Sequence, residues 1–100
     1  MTGDLPDGEL RREMGCTRDE FLRWLPGATR HAPIVSSGDV HQVLSDHGLV
    51  EICIVELSPR RIASITLPVL EVRFRFMRMD AEAQANFLGY FDHYTQRGGG

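Results

Sequence analysis

The sequence contains no lysine, only two cysteines and no long apolar run. Each of these features argues against particular kinds of protein or site. All eleven lysine or arginine residues are arginines, so one arginine alone is weak support for a phosphate site. The two cysteines, Cys16 and Cys53, are too few and too far apart for a disulfide framework or a zinc knuckle. No stretch approaches the roughly 18 apolar residues of a membrane span. We therefore expect no membrane segment, and free thiols.

Composition and charge favour one small cytoplasmic domain. The 100 residues are 42% hydrophobic and 25% charged, which is typical of a globular chain that buries a single core. The first residues, Met1–Gly15, are polar and acidic, unlike a secretory signal. The formal net charge of -3 argues against general nucleic-acid binding, because phosphate attraction favours basic proteins.

A strand followed directly by a helix organises the rest of the chain. Val69–Met79 alternates apolar and polar residues, which predicts a half-buried strand, and at Asp80 the pattern changes to that of an amphipathic helix. The apolar positions of the strand and helix can face each other across a core. These positions are Leu70, Val72, Phe74 and Phe76 on the strand, and Ala83, Phe87, Tyr90, Phe91 and Tyr94 on the helix.

The N-terminal part predicts a flexible leader and then a short helix. Residues 1–15 combine acids with glycine and proline, and we expect at most a turn of helix at Glu9–Met14. Thr17 followed by Glu20 forms a capping-box pattern, with Cys16 and Phe21 placed as a hydrophobic staple. The helix is expected over 17–25, ended by the following Pro-Gly pair.

The middle of the chain predicts a loop and antiparallel strands. Gly27–Asp39 is rich in Gly, Pro and Ser and predicts a long connection. Val40–Ser45 and Leu49–Leu57 are strand-like on either side of Asp46-His47-Gly48, which indicates a hairpin. The second of these strands is apolar on both faces, so we expect it to be central, with Cys53 in the core.

Two prolines indicate where later strands turn. Pro59 predicts a turn before a strand at Ile62–Thr66. Pro68 marks either a turn into a fourth strand or a bulge in one long strand, and the turn is favoured here.

The predicted fold is α+β and two-layered, an antiparallel β-meander of about four strands with both helices on one face, in the order α-β-β-β-β-α. The domain spans residues 16–97, and residues 98–100 form a flexible glycine tail. The predicted core consists of Phe21, Trp24, Leu25, Ile52, Ile54, Leu70, Val72, Phe74, Phe76, Phe87, Phe91 and Tyr94.

No catalytic motif is present in the sequence, and we expect neither a metal nor a cofactor. Cys16 near a helix N-terminus is a weak candidate nucleophile, but its apolar role in the staple is the favoured interpretation. The histidines match no zinc-finger or helical ligand spacing. These histidines are His31, His41, His47 and His93. The sequence therefore favours a protein that is not an enzyme.

The outward side of the last strand is the predicted binding surface. Arg73, Arg75 and Met77 alternate with the inward phenylalanines, and Arg60 and Arg61 lie at a nearby turn. A sheet face of arginine and apolar residues suits a protein partner or self-association, for example as a homodimer.

Two alternatives stay open. The first is a small-molecule or anion site between the 27–39 loop and the helices, with a catalytic version that uses Cys16 and His31. The second is RNA binding through the arginines, which we consider unlikely because stacking aromatics are not on that face.

Overall fold

In the described part of the chain, a five-stranded antiparallel sheet forms one layer and two helices form the other. The computed structural model describes residues 8–96. The elements are β1 (Glu9–Met14), α1 (Arg18–Ala28), β2 (Ile34–Ser37), β3 (Val40–Ser45), β4 (Gly48–Ile62), β5 (Ile65–Met77) and α2 (Ala81–Gln96). Across the sheet the order is β1-β5-β4-β3-β2. The predicted two-layer α+β class is confirmed, with one strand more than expected among the described residues.

Two strands were not predicted, and the first of them, β1, lies within the predicted leader. Instead of a turn of helix, Glu9–Met14 pairs antiparallel with β5, and Leu10 lies opposite Phe74. Leu10 and Met14 pack against the core, while the residues between them are mainly charged. Because of these charges, the sequence does not show the alternation of apolar and polar residues that is typical of a strand. Charged residues are common on edge strands because they discourage pairing with a further strand. Residues 1–7 and the predicted tail at 98–100 lie outside the described residues.

The predicted loop at 27–39 contains the short edge strand β2. Ile34–Ser37 pairs with β3, and Gly38-Asp39 turns the chain between them. A four-residue strand with two serines carries little periodic signal, which explains why the sequence indicated only a connection. The predicted hairpin between 40–45 and 49–57 is confirmed, since β3 and β4 pair antiparallel with Val43 opposite Val50.

Both prolines of the later strands lie inside strands, so the predicted turns at Pro59 and Pro68 are wrong. The β4–β5 pairing continues to a turn at 63–64, and its register shifts between Leu57 and Arg60. Two residues of β4, including Pro59, thereby face Pro68 alone. A bulge tolerates prolines because its residues are partly released from the hydrogen-bond ladder. The second interpretation of Pro68, a bulge within a long strand pair, is therefore the one that the structure supports, and the bulge lies in β4 opposite Pro68.

Helix α1 begins as expected and ends later. The Thr17 hydroxyl accepts a hydrogen bond from the Glu20 amide at 3.0 Å, and the Glu20 carboxylate accepts one from the Thr17 amide at 2.8 Å. This reciprocal pair confirms the capping box. The helix continues past Pro26 to Ala28, so the predicted end at residue 25 is three residues early.

The core lies between the helices and the inner face of the sheet. The aromatic rings of Phe74 and Phe91 meet edge to face with centroids 5.1 Å apart, and Phe21 of α1 lies 6.0 Å from Phe91. Of the residues expected in the core, the buried ones are Phe21, Leu25, Ile52, Ile54, Leu70, Val72, Phe74, Phe76 and Phe91. Trp24, Phe87 and Tyr94 are partly buried and pack against them.

Candidate functional site

The sheet has one face that neither helix covers, which we call the helix-free face. Side chains alternate along each strand, and the strand register aligns those that point away from the core. On β2 to β4 the face carries Val35, Val40, Gln42, Leu44, Leu49, Glu51, Cys53, Val55, Arg60 and Ile62. On β1 and β5 it carries Glu9, Arg11, Glu13, Ile65, Leu67, Glu71, Arg73, Arg75 and Met77. Cys53 is half-buried on this face, not in the core as expected.

The predicted arginine surface is an array of ion pairs. Arg75 lies between Glu9 and Glu51, with nitrogen to oxygen distances of 3.8 and 3.6 Å. Arg73 lies 3.7 Å from Glu71. The sequence did not place Glu9 and Glu51 beside Arg75, because β1 and the pairing of β4 with β5 bring them from distant parts of the chain. The charges balance locally, so this region lacks the basic excess that nucleic-acid binding favours.

The other predicted binding residues divide between the two sides of the sheet. Arg60 lies on the helix-free face, 3.4 Å from Glu13. Arg61 pairs with Thr66 in the neighbouring register position, so its side chain points to the opposite side. Met77 is half-buried opposite Leu49. The predicted surface therefore keeps four of its five residues on one face.

The most exposed large apolar side chains share this helix-free face. The strand register and side-chain alternation place each of them on it. They are Val35, Leu44, Val55, Ile62, Ile65 and Leu67, with exposed fractions from 41% to 58%. Scattered exposed apolar residues are ordinary, but their concentration on one face is typical of an interaction surface.

Residues 58–67 of the β4–β5 hairpin form an exposed arm. The pairing of β3 with β4 stops at Cys53, and β1 pairs with β5 only from Leu70 onward, so the arm has no further strand beside it among the described residues. Its residues are all exposed. Ile62, Ile65 and Leu67 lie on one side, and the other side is polar. Because an isolated two-stranded ribbon is marginally stable in water, an apolar side suits contact with a partner.

A cavity of about 800 Å³ lies beside α2, in the region that the sequence suggested for a small-molecule site. Its walls come from the segment that follows α1, the β3–β4 turn and one side of α2. Met79 and Phe87 contribute apolar surface, while Asn86 and His93 contribute polar groups. Neither Cys16 nor His31 belongs to the lining. The lining includes residues of the 27–39 segment and of α2, without the two residues that the sequence suggested.

Arg30 borders this cavity in an unusual backbone conformation. Arg30 and His31 have φ angles of 56° and 60°, in the left-handed region that non-glycine residues seldom occupy. The Arg30 guanidinium carbon lies 4.1 Å from the centre of the Tyr90 ring. This contact is within cation–π distance, so α2 holds the arginine in place.

Cys16 has the environment of a structural thiol. It is 2% exposed in the core cluster that also contains Phe21. Burial, with a smaller effect from the Glu20 carboxylate, raises the pKa of Cys16 to about 11. A nucleophilic cysteine needs the opposite shift, and the catalytic role considered for Cys16 receives no support. Its position fits the staple.

His41 is a buried polar residue that the sequence did not distinguish from the other histidines. It is 4% exposed, on the helix-covered side of β3. Its Nδ1 lies 2.6 Å from the Ser36 hydroxyl, while Nε2 has no hydrogen-bond partner within residues 8–96. Burial lowers the pKa of His41, Asp39 opposes the shift, and Arg18 adds to it. The neutral imidazole is therefore the form that the fold favours.

We expect acidification to destabilise the fold through His41. Because its folded pKa lies below the ordinary 6.5, the unfolded chain binds a proton first as pH falls. The stabilisation is present above about pH 6.5 and is lost as pH decreases toward the folded pKa. Urea unfolding of wild type and His41→Asn at pH 7.5 and 5.5 measures the effect. The wild type should lose more stability than the variant over this interval, and equal losses would contradict the assignment.

Comparison with known proteins supplies no relative: no protein-family model matches the chain, and neither does any curated protein. Within residues 8–96, no group of three or more His, Cys, Asp or Glu side chains is arranged to hold a metal ion. The helices of the described part are also too short or too polar to cross a membrane.

Proposed function

We propose that this protein is a non-catalytic assembly module of the cytoplasm that self-associates through its helix-free face. The observation that carries the proposal is the concentration of the most exposed large apolar side chains on that face. Burying them against a second surface would release water from apolar area, the main driving force of association. Arg60, Arg73, Arg75 and Met77 would lie within the contact.

The proposed partner is a second copy of the chain, because the face is complementary to itself. Glutamates and arginines alternate on β1 and β5. A second copy related by a two-fold axis can therefore place its arginines against the glutamates of the first copy, and its glutamates against the arginines. The apolar residues lie toward opposite ends of the face: Leu44 is beside the start of β4, and the arm is at its end. Face-to-face packing would place the arm of each copy over the β2–β3 region of the other.

The decisive comparison is between two substitutions on adjacent residues of the arm. Ile65→Glu places a charge on the apolar side, whereas Thr66→Glu places the same charge on the polar side. Both residues are exposed, so the folded domain should tolerate either change. Light scattering coupled to size exclusion should give a dimer for wild type and for Thr66→Glu. Ile65→Glu should raise the dissociation constant of the dimer at least about tenfold, because burying a charge in the contact is costly.

Two results would overturn self-association. One is a wild type that stays monomeric up to about 500 μM, a concentration well above the range of ordinary dimers. The other is an equal effect of both charges, which would point to a general charge effect. Binding of mixed-sequence RNA at low salt would instead favour the RNA alternative, with the affinity expected to fall steeply as salt rises.

A further inference from the structure

The cavity beside α2 has the size and mixed surface of a small-molecule site. Its volume of about 800 Å³ lies within the range of ligand pockets, roughly 300 to 1,000 Å³. Ala28, Ala83, Met79 and Phe87 give it apolar walls. Polar groups line the cavity in a nearly equal share and come from separate elements, so both an apolar body and a polar group of a ligand could find contacts there.

Among the described residues, Arg30 is the only arginine on the lining. It has no carboxylate partner within residues 8–96, whereas the arginines of the helix-free face named above are paired. Its position after Thr29, the C-cap of α1, is one where glycine is preferred because the backbone is left-handed. An arginine here opposes the backbone preference, and stacking on Tyr90 fixes its guanidinium beside the cavity.

The remaining polar groups of the lining are compatible with an anion. His47 and His93 offer ring nitrogens, and Asn86 offers an amide. Asp46, the one carboxylate that the described part of the chain contributes to the lining, is exposed in the β3–β4 turn. Within residues 8–96 the lining has a single permanent cation, beside apolar walls. This arrangement suits one negative group on an otherwise apolar molecule, because a guanidinium and a carboxylate form charge-assisted hydrogen bonds.

We propose that this cavity binds a small organic carboxylate with an apolar body, with the carboxylate on Arg30 and the body against Met79 and Phe87. The guanidinium fork can give two parallel hydrogen bonds to a carboxylate. The inference rests on Arg30 and the cavity, and it does not depend on the proposed self-association. A failed dimer test would therefore not contradict the ligand proposal, and a failed ligand test would not contradict self-association.

The test compares an acid with its neutral amide on the full chain. NMR titration with 4-phenylbutanoate, 4-phenylbutanamide and inorganic phosphate separates the contributions of charge and apolar body. We expect the acid to bind, with shifts at residues of the cavity, and the amide to bind at least about tenfold more weakly, as expected for loss of a charge-assisted hydrogen bond. Phosphate alone should bind weakly, since it has no apolar body.

Arg30→Gln and Arg78→Gln form a matched pair for the same titration. Arg78 shares the left-handed backbone, with φ 57°, but does not line the cavity. Arg30→Gln should weaken binding of the acid at least about tenfold, and Arg78→Gln should leave it unchanged. Equal affinity for acid and amide, equal effects of both substitutions, or no binding of the acid at 5 mM would each overturn the proposal. If Arg30→Gln does not fold, the comparison of acid and amide on wild type decides.

Discussion

Replacing Phe91 with alanine is expected to lower the free energy of unfolding by about 3–5 kcal/mol. Phe91 is completely buried and is the ring at which three elements meet. Its centroid lies 6.0 Å from Phe21 of α1, 5.1 Å from Phe74 of β5 and 6.2 Å from Phe87 of α2 itself. Alanine would remove the ring and leave a space that rigid neighbouring rings cannot fill.

The size of this effect is large relative to the stability of a small domain, which is about 5–15 kcal/mol. Thermal and urea unfolding of wild type, Phe91→Ala and Phe87→Ala measures it. Phe87 lies one turn earlier on the same helix and is only partly buried, so its loss removes less buried area and should have the smaller effect. A Phe87→Ala variant that is as unstable as Phe91→Ala would contradict the central position assigned to Phe91.

The parts of the fold that the sequence predicted are those whose signals are local. The alternation of β5, the change to a helix after Asp80 and the capping box of Thr17 and Glu20 each need only neighbouring residues. At the start of α2, the Asp80 carboxylate accepts a hydrogen bond from the Ala83 amide at 2.8 Å, an arrangement typical of helix N-termini. Such local patterns can be recognised in the sequence without knowing which distant residues lie beside them.

The parts that the sequence did not predict depend on pairing between distant residues. Glu9 belongs to the outer surface of β5 only because β1 lies beside that strand, with Glu9 opposite Arg75. Pro68 is tolerated inside β5 only because the partner strand carries a bulge. Likewise, Arg30 and Tyr90 are 60 residues apart in the sequence, and their stacking follows from how α2 lies beside the end of α1.

The two candidate sites lie in different parts of the fold. The helix-free face offers apolar side chains on a broad surface, which suits a large partner. The cavity lies beside α2, and its concave surface offers one arginine that has no carboxylate partner within residues 8–96, which suits a small molecule. Leu44, at the end of β3, is exposed on the face and also borders the cavity. The β3–β4 turn that follows it therefore influences both sites.

Gly48 is the residue of that turn whose replacement should matter most. Its φ angle is 147°, a conformation that side-chain-bearing residues rarely adopt. A Cβ atom at this position would lie 2.8 Å from the carbonyl oxygens of both Met77 and Arg78. Because these oxygens belong to the backbone where β4 begins to pair with β5, they cannot move away independently. We expect Gly48→Ala to destabilise the fold by about 2–5 kcal/mol, from backbone strain and overpacking together.

Gly38→Ala is the control that separates these two causes. Gly38 has φ 60° in the β2–β3 turn, and a Cβ there would meet nothing within 4 Å. Its replacement should therefore show only the conformational term, about 1–2 kcal/mol. Urea unfolding of both variants against wild type gives the comparison. A Gly38→Ala effect equal to that of Gly48→Ala would mean that the close approach of residues 77 and 78 relaxes freely, and that the β3–β4 turn is not held by β5.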